Sequence, residues 1–149
     1  VGARERLRGY ADVLAARGLP HAPDLVASGD WSPASGRAAM EALLERRGDL
    51  DAVFVANDAM AAGALDALRA AGRRVPDDVL VAGFDDAAVA AQVDPPLTTV
   101  RLPLEQISRE MVRLICAPEG GPSRVTLPTE LVVRASAPAA HATAGAQGG

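Results

Sequence analysis

Lysine is missing altogether, cysteine occurs once and histidine twice, and the aromatic residues come to two Phe, one Tyr and one Trp. Each shortage closes an option. The lone Cys116 excludes an internal disulfide and a cysteine-based zinc cluster; on an apolar helix face it is expected to be buried and inert. His21 falls in a loop and His141 near the end of the chain, neither with a spaced partner for metal or triad chemistry. No metal site and no cofactor are therefore expected. So few aromatics leave the core to Ala, Val and Leu, which favours close helix–sheet packing over an aromatic cluster.

Reaction signatures are absent too. There is no G-x-S-x-G elbow, no G-x-x-x-x-G-K-[ST] loop and no G-x-G-x-x-G fingerprint. Acids pair at Asp77-Asp78 and Asp85-Asp86, but neighbours on a strand point to opposite faces, so neither pair is a ready dyad. An aspartyl nucleophile at Asp85 would want a strand-end lysine or a metal-holding acid set. These absences point to a binding protein rather than an enzyme. The formal net charge of −4 supplies no basic patch for gripping nucleic acid, and Arg73-Arg74 is too short to make one. No run approaches the roughly 18 apolar residues of a membrane span, and no signal peptide opens the chain, so a cytoplasmic protein without a membrane partner is expected. The chain begins without Met, inside a helical pattern, and is expected to be a cut piece, a processed product or part of a longer polypeptide.

Hydrophobic residues make up 49% of 149 positions, one domain's length and enough for a core. Arg4–Arg17 carries Leu7, Tyr10, Ala11 and Leu14 at helical spacing, stopped by Gly18 and Pro20. Asp24–Ser28 reads as a short strand. Ser32 before Pro33 reads as an N-cap with proline at the first helical position, opening a helix to about Arg47. Asp51–Ala56 and Val79–Ala82 are apolar without alternation, the pattern of strands covered on both faces. A helix follows each: one through Ala71 ended by Gly72, and a short one over Ala87–Val93. Leu104–Ile115 is a further amphipathic helix, and Leu127–Arg134 a final strand. From Ala135 to Gly149 the Ala, Gly, Ser and Thr content reads as a disordered tail.

Helix and strand alternate, which predicts an α/β fold: a doubly wound, mostly parallel sheet flanked by helices. Such a unit ordinarily begins with a strand, and this one begins with a helix. The sheet is therefore expected to be an incomplete lobe, with an exposed apolar groove where a further strand belongs.

Ligands of open parallel sheets sit beyond the carboxyl ends of the strands. Three such ends carry polar or aromatic groups: Asp30-Trp31, Asn57-Asp58 and Gly83-Phe84-Asp85-Asp86. Carboxylate, carboxamide and indole suit a neutral polyhydroxylated ligand, and a guanidinium would add paired donors. Asp58 and Asp86 each precede or open a helix and are expected to cap it. Asn57 and Asp85 are then left for ligand. Trp31 fits core packing or ligand stacking, and Arg6 by itself reads as a solvated surface residue.

Six motifs in order carry a resemblance. They are Arg6-Leu-Arg-Gly-Tyr10, Gly29-Asp-Trp-Ser32, Val55–Ala64, Val81–Asp86, Pro96–Val100 and Leu127–Arg134. Together they resemble the C-terminal part of the effector-binding core of LacI/GalR-family transcriptional regulators, a fold similar to type I periplasmic binding proteins. The resemblance spans about Arg4 to Ser136. It implies that residues 1–134 are the C-terminal portion of an effector-binding domain, followed by the tail at 135–149. It implies ligand contacts at Arg6, Trp31, Asn57 and Asp85, with Phe84 and Asp30 beside them. Leu102 stands where many members carry a polar ligand contact, and Ile107-Ser108 where a Leu-Gly pair is common. The helix Leu104–Ile115 would cross to a second lobe.

The function so implied is that of an effector-binding fragment of a DNA-binding regulator. The effector would be a saccharide or related polyol, and DNA would be met only through an N-terminal headpiece absent from this sequence. A homodimer is implied, through the helix Ala59–Ala71 and the segment Asp86–Val93. The competing reading is a solute-binding protein of a sugar ABC transporter.

Overall fold

The structure, a computed structural model, describes residues 2–116 and 124–139. Five α-helices and four strands follow along it, alternating from the second helix on: α1 (Gly2–Ala16), α2 (Pro33–Arg46), β1 (Ala52–Phe54), α3 (Asp58–Ala70), β2 (Leu80–Asp85), α4 (Ala88–Gln92), β3 (Thr98–Arg101), α5 (Leu104–Ile115) and β4 (Glu130–Val132). The strands lie in chain order in one sheet. β1, β2 and β3 are parallel, with Val53 opposite Val81 and Gly83 opposite Thr99, and β4 returns antiparallel to β3. The expected α/β, mostly parallel architecture is what forms.

Local chemistry sets the element ends. Gly18, in the left-handed region at φ 67°, stops α1. The Ser32 hydroxyl accepts from the Ser35 N–H at 3.2 Å, and Pro33 opens α2. The core is aliphatic: Met40 and Leu43 from α2, Met60, Leu65 and Leu68 from α3, Val79 and Val81 at β2, and Leu97 before β3.

Helices α2 and α3 meet backbone to backbone. A Cβ on Gly36 would lie 2.1 Å from the Met60 carbonyl oxygen, and one on Gly63 would lie 1.9 Å from the Pro33 carbonyl oxygen. Each glycine thus sits under the other helix's main chain, and only a hydrogen fits in either gap.

Several elements differ from the sequence reading. Asp24–Ser28 is no ladder strand; Pro23–Leu25 forms a 3-10 turn. The Arg46 guanidinium donates to the carbonyls of Asp24 and Val26 at 3.4 and 3.3 Å, groups that a neighbouring strand would otherwise satisfy. β3 falls in a segment that the periodicity left unassigned. β1 is an edge strand rather than a doubly covered one, with Phe54 41% exposed. Cys116 is exposed, not buried, because α5 buries none of its residues among those described.

The expected tail begins too early at Ala135. Ser136 is fully buried. Its hydroxyl donates to the Val81 carbonyl at 2.6 Å and accepts from the Thr98 N–H at 2.8 Å, while its own N–H donates to the Pro96 carbonyl. The rest of that expectation, residues 140–149, lies outside the described residues.

At the free edge of β1 an apolar trough of about 290 Å³ runs between β1, α1, α2 and the extended Val26–Gly29 segment. Leu7, Tyr10, Val26, Met40 and Phe54 are among its walls. It lies where the incomplete sheet was expected to leave a groove.

The helix crossing yields a direct test. Gly63→Ala is expected to destabilise the protein by about 2 kcal/mol or more, since the intruding Cβ meets backbone rather than a side chain that could swing away. Urea denaturation should show a lower midpoint at an unchanged slope; an unmoved midpoint would contradict the close approach.

Candidate functional site

Asp85 ends β2, Phe84 precedes it, Asn57 caps α3 just beyond β1, Trp31 lies just before α2, and Arg6 reaches in from α1. The fold brings these five together at the carboxyl end of the parallel strands. The Arg6 guanidinium carbon stands 3.9 Å from the Phe84 ring centroid and 5.6 Å from that of Trp31. Its Nη2 lies 3.7 Å from Asp85 Oδ1. A planar cation thus lies over two aromatic rings and within ion-pair reach of a carboxylate. The Arg6 Nε is buried with no hydrogen-bond partner in the protein, an unused donor at the centre of the group.

Backbone strain gathers at the same rim. Among the described residues, the non-glycine residues with positive φ are Trp31 (74°), Asp85 (110°) and Asp86 (53°). Each such conformation costs on the order of 1–3 kcal/mol and persists where surrounding structure enforces it, most often at binding sites.

Asp85 also carries an electrostatic penalty. Burial raises its pKa above the ordinary 3.8, the nearby Asp58 carboxylate adds to that, and the Arg6 cation only partly offsets it. A carboxylate that the free protein solvates poorly has hydrogen-bonding capacity left for a ligand.

The two strand-end pairs divide their work differently from the sequence reading. Asn57, not Asp58, is the N-cap of α3: its Oδ1 accepts from the Met60 N–H at 2.9 Å, and its backbone is extended at φ −152°. Its Nδ2 donates to the Trp31 carbonyl at 3.2 Å. Asn57 therefore props the indole-bearing residue while keeping its place at the rim. Asp58 is one residue inside the helix and buried.

Asp86 does not cap α4 either, whose N-cap, Ala87, makes no side-chain bond. It accepts instead from Arg134 and Arg101, both at 2.7 Å. Burial would raise its pKa, but the two guanidinium groups outweigh burial and hold it below the ordinary value. Arg101 reaches on to Glu130 of β4. Sequence reading missed this cluster, because its members lie far apart in the chain.

Asp30 sits beside Trp31, but its Oδ1 already accepts from the N–H and hydroxyl of Ser32. Its pKa is lowered to about 2, first by the Ser32 hydroxyl and then by Ser35. It belongs to the start of α2 as much as to the site. Chemically, the group offers paired guanidinium donors, a carboxylate acceptor and an exposed indole face, which is the equipment for a polyhydroxylated ring.

The chain matches the family described as periplasmic binding protein-like domain over residues 1–137. It is 48% identical over 136 residues to the HTH-type transcriptional regulator CelR of Thermobifida fusca, covering 89% of this chain and 40% of CelR. A solved CelR–cellobiose complex superposes with a TM-score of 0.84 at 48% identity, over 89% of this chain and 42% of that one. A sugar-binding transcriptional regulator of the LacI family from Escherichia coli, complexed with phosphate, gives 0.81 at 41% identity over 91% of this chain and 50% of that one. The chain thus spans about half or less of the length of these relatives.

The raised pKa of Asp85 makes a pH prediction. A carboxyl whose folded pKa lies above its unfolded value costs nothing below the unfolded pKa. Its penalty appears as pH rises from there through the folded pKa, and it is fully present above. Asp85→Asn, which tolerates the same positive φ, is expected to be at least as stable as the parent at pH 7, with any advantage fading toward pH 3. Denaturation midpoints at the two pH values check this; a variant markedly less stable at pH 7 would contradict it.

Proposed function

The chain belongs to the periplasmic-binding-protein-like domain family, and from that premise we propose that it is effector-binding material of a LacI-type transcriptional regulator. Its effector is a saccharide, and the cellobiose of the CelR complex is the first candidate. The observation that carries this reading is the clasp on Arg6 by Phe84, Trp31 and Asp85. An oriented guanidinium and a facing carboxylate discriminate vicinal hydroxyls, and the indole covers the apolar face of the ring. Asn57 contributes by fixing Trp31 and through whatever hydrogen-bonding capacity remains on its amide.

The chain supplies one wall of the cleft, and a second lobe supplies the other. Effector held between lobes favours one lobe arrangement over another. That population shift reaches DNA through a headpiece outside this chain. Two copies pair through α3 and the Asp86–Val93 segment, and the protein works in the cytoplasm. No chemical step on the ligand is involved.

Isothermal calorimetry of the full-length protein against a saccharide panel led by cellobiose tests the assignment. Arg6→Ala and Asp85→Ala are each expected to weaken binding roughly 10- to 100-fold, the size of a lost hydrogen bond to a charged group. Undiminished affinity in both variants would remove these residues from the site.

A further inference from the structure

We infer that Asp58 is a positioning residue for Asp85: a buried carboxylate that fastens the left-handed turn on which the ligand-facing carboxylate is carried. The inference rests on the reading of the Arg6–Asp85 group as a saccharide site. It adds a residue that touches no ligand.

Asp58 is 1% exposed and forms no salt bridge among the described residues. A buried charge without a counter-ion persists only where donors surround it. Three sources of positive potential converge here. As the first residue of α3, Asp58 lies in the favourable field of the helix N-terminus. Its Oδ2 accepts from the Ala87 N–H at 2.8 Å, and its Oδ1 accepts from the Thr99 hydroxyl at 2.6 Å. That hydroxyl oxygen in turn accepts from the Asp86 N–H at 3.4 Å.

The two N–H groups so engaged, those of Asp86 and Ala87, immediately follow Asp85. With Asp85 at φ 110° and Asp86 at φ 53°, they are successive donors of the kind that cradle an anion. Here the anion is internal. Asp58 takes Ala87 directly and Asp86 through Thr99, so the strained pair is held from below while the Asp85 side chain turns toward Arg6. The strand makes room for the contact: a Cβ on Gly83 would stand 2.3 Å from Asp58 Oδ1. Asp58 also lies near enough to Asp85 to raise its pKa.

A purely structural Asp58 would tie α3 to the sheet without bearing on ligand in particular. The two roles separate in a double-mutant cycle on the full-length protein, with cellobiose as the probe. Asp58→Asn keeps the shape but removes the charge and one of the two acceptor oxygens, so that Ala87 and Thr99 can no longer both donate to it. It is expected to weaken binding about tenfold or more, the size expected when an orienting hydrogen bond to a charged group is lost. Thr99→Val should do the same and Thr99→Ser should not, which covers the case in which Asp58→Asn fails to fold. In an Asp85→Asn background, Asp58→Asn should cost no further affinity, because its effect passes through Asp85.

Amide hydrogen exchange at Ala87 gives a second reading that needs no ligand: Asp58→Ala, which leaves no acceptor, should abolish protection there. Folded Asp58→Asn binding within about twofold of the parent, or an equal loss in both backgrounds, would overturn the inference. A parent protein that binds no saccharide would overturn the proposed function instead. The exchange arm would then decide this inference alone, lost protection supporting it and unchanged protection sinking it.

Discussion

The contact between α2 and α3 is a contact of main chains, and the site depends on it. Because Gly36 and Gly63 carry no side chain, the first turn of α2 lies directly against α3. That closeness brings the Trp31 carbonyl, one residue ahead of the α2 cap, within reach of the Asn57 amide that caps α3. A crossing even one methyl wider would part the two caps. The indole would then lose the strut that holds it in a left-handed conformation. Core packing and the shape of the candidate wall are in this sense one constraint.

Three aspartates crowd the strand ends, and their surroundings give them three different jobs. Asp86 meets two arginines and is neutralised into the sheet. Asp58 meets only neutral donors and a helix N-terminus, and is buried. Asp85 meets one cation at 3.7 Å, partial burial and a neighbouring negative charge, and so remains underserved. The residue least satisfied in the free protein is the one aimed at the cleft. Its neighbours absorb the cost of placing it there.

Much of this could be read from the sequence, and the failures have physical causes. Apolar runs without alternation located β1 and β2, and Ser32-Pro33 located the start of α2, because these signals are local. The exchange of roles between Asn57 and Asp58 was not legible: both residue types cap helices, and a shift of one residue in where the extended backbone ends decides between them. The Asp86 cluster depends on Arg101 and Arg134, and Asp24–Ser28 on the reach of Arg46, all of them long-range contacts. β3 hid behind two prolines. Ser136 looked like tail material by composition, and only the gap it fills between β2 and the start of β3 makes it structural. Arg6 was singled out by motif resemblance alone, since nothing in its local sequence distinguishes it from a surface residue, and the same resemblance decided for Trp31 between core packing and ligand stacking.

Arg6 stands near the first described residue and Arg134 near the last, yet they grip consecutive positions, Asp85 and Asp86. The carboxylate pair is therefore closed from both directions along the chain, the Arg134 contact alone bridging 48 residues. Contacts of that span are slow to form, because chain entropy must be given up before any contact rewards it. During synthesis the α2–α3 core can pack while the downstream chain is still unmade. Arg134 can reach Asp86 only after β4 and the two residues beyond it have left the ribosome, so the turn that carries Asp85 is fastened on its sheet side long after its own residues are made.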